Sequence, residues 1–194
     1  MGYYLFRMRS LVLLVKLAVE TFVKEDKVIS PPKDLPGEFL KAKSGTFVTI
    51  EKEGKLRGCI GTYLPTKENI AKEIISNAVA AATEDYRFGP IQKEELPLFS
   101  YTVYILSEPE LVKDVSELDP KKYGIIVRTV PITHHNKTDV IFNGHLSSKS
   151  GLLLPDLEGI NTPEQQIFIG CQKGGIDLTQ EKIIIYRFTA EKHQ

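Results

Sequence analysis

The chain has 194 residues, 42% hydrophobic and 26% charged, with Lys+Arg and Asp+Glu balanced at 25 each and a formal net charge of zero. This is the composition of a globular protein of one domain, or of one domain with a small lobe; it gives no general electrostatic case for nucleic acid or an anionic membrane. Two cysteines, Cys59 and Cys171, are too few for a disulfide framework, so reduced thiols in a cytoplasmic protein are expected.

In chain order, "FRMRSLVLLVKLAVETF" resembles a signal peptide only until Lys16 interrupts the apolar run and Glu20 follows, with no small-residue cleavage site. Leu11, Leu14, Val15, Ala18 and Phe22 fall on one stripe at helical spacing, which predicts an amphipathic first helix and no membrane span. Met8 offers an alternative start, with residues 1–7 as an extension. The proline-rich "SPPKDLPGEFL" reads as a loop with a short helical turn. "GTFVTIEKEGKLRGCIGTYL" predicts a hairpin turning at Lys52-Glu53-Gly54-Lys55. From Thr66, taken as N-cap with Glu68 in the first turn, Ile70, Ile74, Ala78 and Ala81 or Ala82 mark a helical face.

"DYRFGPIQKEELP" breaks that helix as a structured loop. "LFSYTVYIL" and "YGIIVRTV" are strands around a short helical or turn segment at about 114–120, and "TDVIFNG" and "KSGLLLP" are further extended segments. "NTPEQQIFIGCQKGG" is a helix with Thr162 as N-cap, Pro163 at the first position, Gln165 closing a capping box and Gly174-Gly175 as the stop. "EKIIIYRFTA" is a last strand. Hairpin signals outnumber strand–helix–strand crossovers, so the fold class is α+β with a largely antiparallel or mixed sheet and flanking helices. A smaller lobe is expected at about residues 108–150.

The chemistry concentrates in "GKLRGCIGTY". Alternation along a strand puts Leu56, Gly58, Ile60 and Thr62 on one face and Arg57, Cys59, Gly61 and Tyr63 on the other, with same-face neighbours roughly 6.5–7 Å apart. In the functional reading Arg57 biases the Cys59 thiol toward thiolate, Gly61 leaves a hollow beside it, and Gly58 admits a helix or another backbone on the opposite face. In the packing reading Cys59 is a small buried hydrophobe and the glycines mark a bulge or tight contact. Arg57 among apolar neighbours requires a partner, and Asp85, Glu94 and Glu95 qualify. Arg87 reads equally as a grip for an anion or as the partner of a nearby acid or carbonyl, with Phe88 plugging the core.

His134, His135, Asp139 and His145 lack the spacing of a metal site, so no metal is expected. Cys171 shares a helical face with Ile167 and reads as core. Asn136-Lys137-Thr138 matches a glycosylation acceptor without other signs of secretion. Phosphate-cradling loops, dinucleotide fingerprints, paired CxxC motifs and hydrolase elbows are all missing, and no cofactor is expected.

"LRGCIGT" resembles the hallmark of the AMMECR domain family, the "A" component of the AmmeMemoRadiSam clusters of bacteria and archaea. The resemblance extends through "GTFVTI", "NAVAAATEDYRFGPIQKEELP", "KSGLLLP", "TPEQQIFIGCQKGGI" and "YRFTAE". It implies a single domain of two unequal lobes with a cleft between them. It also implies a functional surface made by the hexapeptide Leu56–Gly61 with Thr62 and by Asp85, Arg87, Phe88 and Glu95. The family association implies a ligand- or partner-binding module working with Memo-type and radical S-adenosylmethionine proteins. The alternative is a thiol-dependent enzyme or subunit modifying a nucleic-acid base or small metabolite. In that alternative Cys59 is nucleophile or redox thiol, Arg57 its activator, and Asp85 or Glu95 the proton-transfer group. Gly89 replaces the family's usual proline, Gly174 replaces a common alanine, and "TVPITHHNKTDVIFNGHLSSK" follows the family pattern poorly.

Overall fold

The computed structural model of the chain describes residues 2–130 and 149–194, with side chains from Ser10 onward. His134, His135, Asp139, His145, the Asn136-Lys137-Thr138 acceptor and the "TDVIFNG" segment lie outside the described residues. The elements in order are α1 (Gly2–Glu25), α2 (Gly37–Lys41), β1 (Thr46–Lys52), β2 (Lys55–Thr62), α3 (Ile70–Thr83), a 3-10 turn (Lys93–Leu98), β3 (Phe99–Leu106), β4 (Glu110–Leu111), a second 3-10 turn (Val115–Glu117), β5 (Gly124–Thr129), β6 (Ser150–Leu153), α4 (Pro163–Gly174), β7 (Ile183–Phe188) and β8 (Ala190–His193). They form two compact units, one of residues up to Glu108 with Glu191–Gln194, the other of Pro109–Ala190. Helices with antiparallel sheets make this an α+β fold.

In the first unit the sheet order is β2-β1-β3-β8. The α1 stripe does what its periodicity demands: Leu11, Leu14, Val15 and Ala18 are buried, joined by Val19, while Phe22 is only half-buried. They meet Val48 and Ile50 of β1 and the Ile74–Ala78 face of α3 in one core. No helix among the described residues is long and apolar enough to cross a membrane. The β1–β2 turn puts Glu53 at φ 51° and Gly54 at φ 76°. Two consecutive left-handed residues make the type I′ geometry that matches the twist of a two-residue hairpin.

Helix α3 begins later than its composition predicts. Asn69, not Thr66, is the N-cap, its side chain accepting from the Lys72 amide at 2.9 Å. Thr66 is taken up elsewhere. Its amide and hydroxyl donate to Glu73 at 2.7 and 2.8 Å, the Lys67 amide adds a third bond at 2.6 Å, and the Thr62 hydroxyl a fourth at 2.7 Å. Glu73 is almost fully buried on α3. Burial alone would raise its carboxyl, but the donors from Thr62, Lys67 and Thr66 outweigh it and hold the group below its ordinary value. Asn77, one turn on, donates to the Thr46 carbonyl and hydroxyl at 3.0 and 2.9 Å. These polar groups tie the end of β2 and its following loop to the helix.

The second unit carries the sheet β4-β7-β5-β6 with α4 against β5 and β6. Helix α4 has the capping box its sequence specifies, Thr162 accepting from the Gln165 amide at 3.3 Å and Gln165 accepting from the Thr162 amide at 3.2 Å. Gly175 at φ 62° ends it. A side chain at Gly151 would collide with the Gly170 carbonyl, and one at Gly174 with the Gly151 amide, so glycines on both elements permit backbone-to-backbone approach. Cys171 is buried beside them in the core with Ile125 and Val127, and burial raises its thiol.

Glu73→Gln puts amide hydrogens against donors that need an acceptor, and should cost about 2–3 kcal/mol. Urea denaturation at neutral pH checks this, with Glu68→Gln on the exposed Lys72 pair as the control, expected to leave the midpoint nearly unchanged.

Candidate functional site

The β1–β2 register decides where the motif's side chains go. Thr46↔Thr62 through Ile50↔Gly58 pair in one register, then Glu51 pairs with Leu56, leaving Arg57 as the extra residue of a bulge. The alternation expected to put Arg57 and Cys59 on one face is therefore broken at Arg57. A bulged residue is re-aimed out of the ladder. Arg57 runs instead to Glu95, with Nε to Oε1 at 3.1 Å and Nη2 to Oε2 at 2.9 Å, and to the carbonyls of Gly89 and Pro90 at 3.0 and 3.3 Å. Of the three acids considered as its partner, Glu95 is the one it takes, and none of its bonds is to the thiol.

Beyond the bulge the faces separate as expected. A side chain at Gly58 would strike the Ala81 carbonyl of α3, so this glycine is where helix and strand touch. Ile60 packs toward the same core and Thr62 donates to Glu73. On the other face Cys59 lies beside its cross-strand partner Thr49, Oγ1 to Sγ 3.3 Å. Gly61 does not leave a hollow there. Its partner Phe47 lays its ring where a Gly61 side chain would be. The glycine makes room for an aromatic ring of the same sheet.

The loop after α3 docks onto this edge. Asp85, 3% exposed, accepts the Cys59 amide at 2.9 Å and binds Arg87 twice, Oδ1 from Nε at 2.9 Å and Oδ2 from Nη2 at 2.7 Å. Arg87 Nη2 also points to the Cys59 carbonyl at 3.4 Å, and its guanidinium lies 5.2 Å from the Phe88 ring centre. Phe88 is partly exposed and does not plug the core. Glu95 gathers Arg57, the Lys52 ammonium at 3.0 Å and the Gln92 amide at 3.0 Å. The Arg87 bonds hold Asp85 down at about 2 against the opposing effect of burial, with the Cys59 amide assisting. Arg57 does the same for Glu95, also at about 2, helped by Gln92 and Lys52. Carboxylates held this low are weak bases near neutral pH and do not match the tuning general acid–base catalysis requires.

The structure thus brings Cys59, Asp85, Arg87 and Phe88 together, sets Arg57 with Glu95 beside them, turns Gly58 and Thr62 toward α3, and covers Gly61 with Phe47. Thr49, Lys52, Phe47, Tyr86 and Glu73 were not singled out from sequence. The hairpin turn could have pointed to a β1 partner for Cys59, but an unbulged register selects Val48, and only the bulge brings in Thr49. Among the described residues no three His, Cys, Asp or Glu side chains gather as metal ligands would.

Asp85 and Glu95 have folded values of about 2, below their ordinary 3.8 and 4.5. Such depressed groups stabilise the fold above the ordinary values, and the contribution is lost as pH falls through the folded ones. Each should contribute on the order of 2 kcal/mol, and stability should decline between about pH 4.5 and 2. Urea midpoints across that window test this, and Glu95→Gln should flatten the decline. Iodoacetamide on the folded protein should label the half-exposed Cys59 and spare Cys171, read by peptide mass spectrometry.

The AMMECR1 family model matches residues 12–193. The chain is 47% identical over 177 residues to a Thermotoga maritima protein, covering 91% of this chain and 92% of that one. It is 40% identical over 184 residues to a Clostridium acetobutylicum protein, 93% of this chain but 35% of the longer relative. In structure it is similar to an uncharacterized protein of Pyrococcus horikoshii, with a TM-score of 0.79 at 30% identity, covering 94% of this chain and 88% of the other. The chain belongs to the AMMECR1 family.

Proposed function

We propose that the chain is a binding module that acts in the cytoplasm with Memo-type and radical S-adenosylmethionine proteins, through the surface where β2 meets the Asp85–Gly89 loop. One observation carries this reading. Both arginines of the motif regions are already paired with carboxylates held at about 2, an arrangement that fixes a shape and leaves neither Asp85 nor Glu95 poised to transfer a proton near neutral pH. Arg57 and Glu95 anchor the loop. Asp85 joins it to the Cys59 backbone, and Arg87, Phe88 and Cys59 form the part that meets a ligand or partner. The Memo-type and radical partners rest on the family resemblance alone, which is an associational warrant.

A thiol-dependent reading has its own observation in favour. Cys59 is half-exposed, and its sulfur lies beside the Thr49 hydroxyl rather than in hydrocarbon alone. In that reading the thiol is the nucleophile or redox group for a nucleic-acid base or a small metabolite.

Mixing the purified chain with the Memo-type and radical proteins of the same genome separates the readings. Binding-module function predicts a complex by size-exclusion chromatography that survives Cys59→Ser and weakens at least tenfold with Phe88→Ala. No association with either protein would remove the proposed partners, and loss of association on Cys59→Ser would favour the thiol reading.

A further inference from the structure

The two guanidinium groups beside β2 are used differently. Arg57 engages all three nitrogens, with Glu95 and with the Gly89 and Pro90 carbonyls. Arg87 engages Nε and Nη2 with Asp85 and the Cys59 carbonyl, and its Nη1 has no hydrogen-bond partner among the described residues. Accessibility follows the same division, 14% for the Arg57 side chain against 43% for Arg87. One guanidinium is closed by the fold. The other keeps the two N–H donors of Nη1 free, its plane oriented in advance by the buried Asp85 on the Nε/Nη2 edge.

The residues on either side of Arg87 in the sequence are aromatic. Phe88 lies under the guanidinium at 5.2 Å, and Tyr86 is 95% exposed. A single exposed ring on a loop calls for no explanation. Here, though, the two rings are the sequence neighbours of an arginine whose Nη1 has no hydrogen-bond partner among the described residues. Their loop is held at both ends, by Asp85 on the Cys59 amide and by Arg57 on the Gly89 and Pro90 carbonyls. The Phe88 ring beside a fixed guanidinium loses little freedom on contact, and arginine with aromatics is the composition that dominates binding surfaces. Charge complementarity selects the occupant: the two free N–H donors of a cationic Nη1 match the oxygens of an oxyanion, and an aromatic ring matches a flat apolar body joined to it.

We infer that Arg87, Tyr86 and Phe88 bind a small oxyanion carried on an aromatic ring. The inference rests on the binding-module reading and names the class of its ligand. Arg87 Nη1 takes the phosphate or carboxylate oxygens, the ring stacks against Phe88 and Tyr86, and the Cys59 side of β2 borders the site.

The test is a backbone-amide NMR titration of the intact chain with phenyl phosphate, benzoate, inorganic phosphate and phenol. Phenyl phosphate or benzoate should shift the amides of Cys59 and residues 85–89, at an apparent Kd at least tenfold below both inorganic phosphate and phenol. The two aromatic anions separate phosphate from carboxylate as the preferred head. Arg87→Gln should abolish the anion preference. Because that variant also strips Asp85 of its partner, Tyr86→Ala and Phe88→Leu serve alongside it; they should erase the tenfold advantage of the ring while leaving inorganic phosphate binding unchanged. Shifts confined to other residues, or aromatic anions that bind no tighter than inorganic phosphate, would overturn the inference. If the partner proteins still associate in that case, the ligand class fails and the binding-module reading stands.

Discussion

A single unpaired residue in one strand organises this site. Val48 and Ile50 of β1 are fully buried against the helices, so whatever pairs with them on β2 faces the core. Continuing the register set by the hairpin turn, without a bulge, would pair Ile50 with Arg57 and Val48 with Cys59, turning a guanidinium into hydrocarbon. The bulge at Arg57 shifts the remaining strand by one, so Ile50 meets Gly58 and Val48 meets Ile60. A one-residue slip exchanges the two faces of a strand. Here it sends Gly58, Ile60 and Thr62 to α3 and puts Cys59 on the other side.

Releasing Arg57 from the ladder also gives the loop after α3 its anchor. Glu95 sits at the start of a 3-10 turn and accepts from Arg57, Lys52 and Gln92, joining both strands of the hairpin to a segment about forty residues on. Asp85 makes the second attachment through the Cys59 amide. The two carboxylates are arranged alike, each with one bidentate arginine and a backbone amide, and both are held at about 2. They differ in what is left over. Arg57 is consumed by structure and Arg87 is not, so the same device yields a strut in one place and free Nη1 donors in the other.

Close backbone approach recurs in the second unit with a different purpose. Gly151 on β6 and Gly170 and Gly174 on α4 bring helix and strand together without side chains between them, and Cys171 fills the adjacent core. A side chain at Gly174 would meet the Gly151 amide at 2.8 Å. The two cysteines therefore serve different ends, one as a small hydrophobe on the buried face of α4 and one at a half-exposed edge beside a threonine hydroxyl.

Local chemistry made much of the chain legible in advance. The α1 stripe, the I′ hairpin, the Thr162–Gln165 cap and the glycine stop of α4 are each set by residues within a few positions of one another, and the structure carries them as the sequence predicts. The start of α3 departs from the sequence expectation because Thr66 has a partner seven residues away, a buried glutamate that competes for its hydroxyl and amide. The likeness of "LRGCIG" to its family was also readable from the string of residues alone. What the string could not determine was which arginine meets which acid, where Cys59 points, and whether Gly61 opens a hollow or receives the Phe47 ring. Those outcomes depend on one bulge, and a bulge is chosen by the fit of a whole sheet against its helices rather than by the residue it displaces.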